Sequence, residues 1–192
     1  MPATEREQLE RTVEAACRRR DFSVAAMLTI RGYGRELVGF LGALTRDAAT
    51  ADEVFVQLCG DLRKGLPGFR WDSTLRTWCY VLARARSRRG PRRRAARSPR
   101  TQLEHVVAEL RAESASYLRA EVRRARAEAR SELDADDQLL LILRVDLMLQ
   151  WPEIARVMAG EPIRDGDEVL RRARALRKRF ARIKEQLRDR RS

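Results

Sequence analysis

Between Arg84 and Arg100 the chain carries nine arginines and no acidic residue, interrupted by Gly90-Pro91 and by Ser98-Pro99. Like charges this dense repel one another, and glycine and proline break helical periodicity, so no single core is continuous through the segment. A chain of 192 residues is thereby divided nearly in half and has to build two cores, each within reach of a small domain. The expected division is a first domain over residues 1–87, a basic linker over 88–102 and a second domain over 103–192.

Both halves read as helical. Only 10 glycines and 6 prolines occur, and long stretches are built from Ala, Leu, Glu and Arg, which favour helix over strand. The fold class is therefore all-α. In the first half Leu37, Phe40, Leu41 and Leu44 recur at helical spacing, a turn follows near Thr45 to Thr50, and Val54, Leu58 and Leu62 resume the period. That pattern predicts a helical hairpin. Gly65-Leu66-Pro67-Gly68 ends its second arm, and an aromatic loop from Phe69 to Ser73 leads to a third helix from about Thr74 to Arg86. Ahead of the hairpin, Val13, Ala16, Phe22, Val24 and Met27 make residues 1–30 amphipathic, with either a bracing or a regulator-binding role open to them.

Beyond the arginine run, Leu103, Val106, Val107 and Leu110 mark one amphipathic helix, and Leu118, Val122, Ala125 and Ala129 another. A helix over Leu139 to Leu149 follows, with Asp134, Asp136 and Asp137 placed to cap it and to favour its positive end. Pro152 suits the first turn of a short helix that Glu153 caps and Gly160 ends. After the polar loop Glu161 to Gly166, Val169, Ala173, Leu176, Phe180, Ile183 and Leu187 form one apolar stripe on a long basic helix. A short helix, a turn and a basic helix are the parts of a helix-turn-helix, whose last helix enters the DNA major groove.

The charge is localised in step with this organisation. Residues 84–100 carry +9 and residues 167–192 carry +7, which exceeds the formal +13 of the whole chain and leaves −3 for the remainder. Two separate basic patches point to two nucleic-acid contacts rather than to a general solubility charge.

The segments Ala51-Asp52-Glu53-Val54-Phe55-Val56-Gln57-Leu58, Gly65-Leu66-Pro67-Gly68-Phe69-Arg70 and Leu75-Arg76-Thr77-Trp78-Cys79-Tyr80-Val81-Leu82-Ala83-Arg84 resemble the second conserved region of sigma-70 family proteins. Leu140-Leu141-Ile142-Leu143-Arg144-Val145-Asp146 and Trp151-Pro152-Glu153-Ile154-Ala155-Arg156-Val157 are similar to the start of the fourth region. The likeness covers residues 33–87 and 133–188 in the family's order, without the third domain, which is the organisation of extracytoplasmic-function sigma factors. Val56 and Gln57 stand where the family usually has a Gln-Glu pair, and Arg63 where it commonly has Trp. Family linkers are often acidic or mixed, whereas this one begins as an arginine run.

The resemblance implies a factor that brings core RNA polymerase to promoters. Asp52, Glu53, Gln57 and Asp61 would meet the polymerase clamp. Phe69, Arg70, Trp71, Ser73, Arg76 and Arg84 would hold the melted minus-ten strand, and Arg164, Arg171, Arg172, Arg174, Arg177 and Lys178 the duplex minus-thirty-five element. An anti-sigma factor is a further partner that the family admits.

The residues support these roles on physical grounds. Capturing an unstacked base needs aromatic faces beside cations, each stacked base being worth about 1–3 kcal/mol, and Phe69, Trp71, Arg70 and Arg76 supply them. Asp52, Glu53 and Asp61 give an acidic side to one helix of a basic protein, complementary to a basic partner. Arginine pairs bidentately with guanine O6 and N7 or binds phosphate, which suits the last helix. Each role has a plainer counterpart: Trp78 and Tyr80 packing the core with Phe69 plugging the hairpin, the acids and cations as solvated helix faces, and the linker as a solvated, disordered tether.

Other classes are set aside. Cys17, Cys59 and Cys79 are odd in number and without CxxC spacing, so neither disulfide framework nor metal site is expected, and a reducing cytoplasm fits. The charged start, Met1 to Arg11, and the lack of a bilayer-length apolar run speak against secretion and membrane insertion. His105 is the only histidine, and no nucleophile constellation, GxxxxGK[ST] loop, GxGxxG turn or HExxH helix accompanies it, so no enzymatic activity and no cofactor are expected. Two rivals remain: a stand-alone helix-turn-helix regulator, which leaves the aromatic loop without a job, and a basic nucleoid or RNA-binding protein acting by charge alone with steep salt dependence.

Overall fold

The computed structural model describes residues 3–90, 105, 106, 109 and 133–189. The chain divides into two compact units, residues 1–119 and 120–192, and every regular element among the described residues is helical.

In the first unit, α1 (Ala3–Arg18), α2 (Phe22–Thr45), α3 (Ala48–Gly65), a 3₁₀ turn (Leu66–Gly68) and α4 (Leu75–Arg89) follow one another. The expected hairpin is α2 with α3, joined by a tighter turn than the sequence predicts, Arg46 and Asp47 alone. Arg46 takes the left-handed conformation (φ 56°) and donates its N–H to the Gly42 carbonyl at 3.1 Å, closing α2. The Asp47 carboxylate then accepts from the Thr50 N–H at 2.7 Å and opens α3, so each of the two facing helix ends gains a capping hydrogen bond within the turn. α1 ends the same way: Arg20 is left-handed (φ 60°), and Asp21 N–H reaches back to the Ala16 carbonyl at 3.0 Å before its side chain caps α2 through Val24 N–H at 3.2 Å.

Of the amphipathic segment 1–30, the described residues 3–30 brace this unit. α1 buries Val13 and Ala16 and packs on α2, where Gly32 lies so close to the Leu9 side chain that a methyl group there would collide with it. Ile30, Leu37, Leu41, Val54, Phe55, Leu58, Leu62, Leu75 and Cys79 complete a core with no solvent exposure. Phe40 meets Tyr80 edge to face at 5.0 Å, a favoured aromatic geometry. α4 runs through the middle of the bundle, so its residues Leu75 to Val81 are all buried, whichever way they point. It also extends one turn beyond the expected end, through Arg89. The rest of the expected linker, from Pro91, and the amphipathic segment Leu118 to Ala129 lie outside the described residues; of the segment Leu103 to Leu110, residues 105, 106 and 109 are helical.

The second unit contains α5 (Ala135–Leu141), a π-helical turn (Ile142–Asp146), α6 (Trp151–Ala159) and α7 (Gly166–Asp189). Asp134 caps α5 by accepting from the Asp137 N–H at 2.8 Å; that hydrogen bond, outweighing the small desolvation and helped by the Arg179 charge, holds its carboxyl below the ordinary carboxylate range. The helix expected over Leu139 to Leu149 is shorter and irregular. Leu147 N–H reaches five residues back to the Ile142 carbonyl and Leu149 N–H six back to Leu143, both at 3.0 Å, and Met148 is left-handed (φ 55°). Arg144 stabilises this irregular exit, donating to the Leu149 carbonyl at 2.8 Å while its guanidinium lies over the Trp151 ring. As expected, Pro152 sits in the first turn of α6 and Glu153 caps it, accepting from the Gln150 N–H at 2.8 Å.

The six-residue connection Gly160 to Asp165 is held by Arg156, which donates to the Ile163 carbonyl at 2.8 Å. Ala155, Ile163, Val169 and Ala173 form a small core between α6 and α7, flanked by Trp151, Ala159 and Leu176, with Ile183 buried further along α7. Arg179 ties α7 back to α5 through Asp134, at 3.0 Å, and Asp137. Among the described residues no helix is long and apolar enough to cross a membrane.

Candidate nucleic-acid interface

Two surfaces gather the residues singled out in the sequence. The first is the loop between the 3₁₀ turn and α4. Phe69 N–H closes the turn on the Leu66 carbonyl at 3.1 Å, which aims the Phe69 ring at Trp78 on α4. The two rings stack at 4.7 Å with an interplanar angle of 24°, and Trp71 tilts against the Phe69 ring at 4.8 Å and 46°. Trp78 is the buried base of this ladder, at 9% exposure. Its seat is Gly65, where a Cβ would come within 2.9 Å of the indole.

Trp71 is half-buried, and Arg70 beside it is exposed. Its backbone is left-handed (φ 62°), a conformation that costs a bulky L-residue about 1–2 kcal/mol. Strain of this kind persists where the surroundings hold it, and here it sets a half-buried aromatic ring next to an exposed cation. Thr74 then ends the loop by capping α4 through the Thr77 N–H at 3.1 Å, with Ser73 half-buried just before it. The arrangement can stack an unpaired base on Trp71 and attract its phosphate to Arg70.

Arg76 and Arg84 correct the sequence grouping, because neither reaches this surface. They are 9% and 4% exposed, enclosed because α4 is surrounded by α2 and α3. Arg76 Nε donates to Glu36 Oε2 at 2.8 Å, and its guanidinium lies 5.4 Å from the centre of the Tyr80 ring. Tyr80 donates its hydroxyl to the same Glu36 oxygen at 2.9 Å. Glu10 on α1 accepts both the Tyr33 hydroxyl, at 3.1 Å, and the Arg76 backbone N–H, at 3.2 Å. Burial, reinforced by the neighbouring carboxylates, pushes the Tyr33 and Tyr80 hydroxyls upward, so both remain protonated donors. Burial likewise pushes up the Cys59 and Cys79 thiols, which removes them as nucleophiles.

The acidic side of α3 is also thinner than expected. Glu53 is exposed and Asp52 and Gln57 half-buried, but Asp61 is turned to α4, accepting from Arg86 Nε at 2.6 Å and from its Nη2. The outer face of α3 is left with Glu53, Val56, Arg63 and Lys64 exposed.

The second surface is α7. Arg171, Arg172, Arg174, Arg177 and Lys178 are all exposed, as is Arg164 in the preceding connection. Arg172 is engaged by Glu168 at 2.6 Å, one turn away. Arg179 is a structural cation, given its two aspartate partners on and before α5. Leu170 is the residue that pattern reading missed. It lies one position off the apolar stripe and is 48% exposed, and that offset from Val169 is the signal that could have found it. Gly65, Glu10 and Glu36 carried no comparable signal, since their roles depend on what packs against them.

Family models, curated protein sequences and solved structures contain no match to this chain.

Proposed function

We propose that the chain is a sigma factor of the extracytoplasmic-function kind, which directs core RNA polymerase to promoters and has no chemistry of its own. The observation that carries the reading is the Phe69–Trp71–Trp78 ladder, with a half-buried Trp71 in a left-handed conformation beside the exposed Arg70. A platform of stacked rings with an adjacent cation suits a single unpaired strand better than a duplex. The four exposed cations Arg171, Arg174, Arg177 and Lys178 on α7, behind a short helix and a connection, suit a duplex major groove. A protein offering one surface for melted and one for duplex DNA fits promoter opening. In this reading the first unit docks on the polymerase through the Glu53 side of α3, and the buried Arg76 and Arg84 serve the interior of the bundle rather than touching DNA.

Run-off transcription with bacterial core polymerase on genomic promoter fragments tests it. Start-specific transcripts with the wild-type chain, lost with Trp71→Ala and weakened with Glu53→Lys, are the expected result. Failure to bind core polymerase, together with salt-sensitive duplex binding by the free chain, would overturn it in favour of a stand-alone helix-turn-helix regulator, for which the cationic face of α7 is sufficient. An anti-sigma partner would be sought by capture with the wild-type chain once transcription is established.

A further inference from the structure

Beyond its first residue, the exposed residues of α7 are polar or alanine except at one place. Leu170, Arg174 and Arg177 stand at intervals of four and three and so share a face, with Arg171 and Lys178 beside them and Asp167 one turn before. Leu170 is the one large hydrophobic residue exposed on this helix among the described residues, at 48%. Its neighbour Val169 is 3% exposed and serves the core with Ala155, Ile163 and Ala173, so the inner stripe is complete without Leu170. A lone exposed leucine is ordinary on a protein surface, but one set among cations at the start of a recognition helix is placed where base edges are read.

The acids nearby sharpen the assignment. Asp165 and Asp167 are exposed at the helix start, with the Asp167 N–H already held by the Asp165 carboxylate at 2.9 Å, and Glu168 is engaged by Arg172. This end of α7 therefore repels phosphate, and the phosphate contacts fall to Arg171, Arg174, Arg177 and Lys178 further along. The large exposed side chain left at this end is apolar, Leu170. In the major groove only thymine, of the four bases, offers an apolar group, its C5-methyl.

Resting on the reading of α7 as a duplex-binding helix, we propose that Leu170 is a specificity-determining residue that packs on a thymine C5-methyl in the upstream promoter element. It reads one position by exclusion of water, where arginines at the same position would read guanine.

The test uses holoenzyme reconstituted from this chain and bacterial core polymerase, with duplexes selected from a pool randomised over the upstream element. Each thymine of the selected duplex is replaced in turn by deoxyuridine, which removes only the methyl group. Wild-type holoenzyme should lose about three- to five-fold in affinity at one position, the worth of one buried methyl. Leu170→Ala should abolish the sensitivity at that position alone, and Leu170→Met should retain it. Thermal unfolding of Leu170→Ala unchanged from wild type secures the comparison. Selected duplexes insensitive to deoxyuridine, or a sensitivity that Leu170→Ala leaves intact, would overturn the proposal while leaving the promoter reading standing. Loss of core-polymerase binding by Leu170→Ala without DNA would overturn it by assigning the leucine to a protein contact. A holoenzyme that selects no upstream sequence would overturn both.

Discussion

In the first unit Arg76, Arg84 and Arg86 are each less than a tenth exposed, whereas in the second Arg171, Arg174, Arg177 and Lys178 stand in solvent along one helix. The residues are of one chemical kind and the helices are both basic, but α4 is enclosed by its neighbours and α7 is buried along one stripe only. An arginine on an enclosed helix has to find a carboxylate, as Arg76 finds Glu36 and Arg86 finds Asp61, because an unpaired charge in the interior is costly. On a half-exposed helix it can stay hydrated and wait for a phosphate. Local basicity is thus a poor measure of a binding surface until the burial of the helix is known.

Substitutions can break this contrast at either end. Arg76→Ala removes a buried cation that Glu36 and the Tyr80 ring both use, and should destabilise the first unit by about 3 kcal/mol. Calorimetry should then find its melting transition lowered by about 12 °C or more. Arg86→Ala should cost less, about 2 kcal/mol in a chemical-denaturation curve, since Asp61 retains 31% side-chain exposure and water can take the place of its partner.

The aromatic loop separates backbone from side chain. Trp71→Gly and Trp71→Ala both delete the ring and should both lose promoter-dependent transcription, but the glycine variant should be about 1 kcal/mol more stable in denaturant, because only it relieves the left-handed strain. Equal stabilities would mean that the loop holds the conformation without cost. The smallest effect on folding belongs to Arg174→Ala: stability within about 0.5 kcal/mol of wild type, but a log–log salt slope of duplex binding shallower by about 1. A large fall in its melting temperature would erase the distinction drawn between the two helices.

Much of the fold is legible in the residues. The three-and-four spacing of Val169 to Leu187 predicts α7 and its buried stripe, and Asp134, Pro152 and Glu153 mark helix starts that the structure bears out. Such signals are local and need only the chain's own period or the first turn's free N–H groups. The division of labour among the arginines was not legible, because Arg76 and Arg84 belong by spacing to the same helix as the arginine run and only α2 and α3 enclose them. The π-helical exit of α5 was hidden for a similar reason: the apolar run Leu139 to Leu143 reads as regular helix, and the Arg144 side chain that meets the Leu149 carbonyl beyond it carries no periodic signal. Of the candidate interface, the aromatic loop was visible in composition, but its stacking order rests on Gly65, whose missing side chain carries no pattern.

The hydrogen bond from the Arg76 amide to Glu10 joins residues 66 positions apart. An amide in the first turn of a helix has no acceptor within that helix, so its exchange with deuterium is slowed only while α1 is docked. That single amide is a built-in gauge of partial opening: its exchange rate reports how often the N-terminal helix lifts from the bundle, independently of the slower events that unravel α4 as a whole.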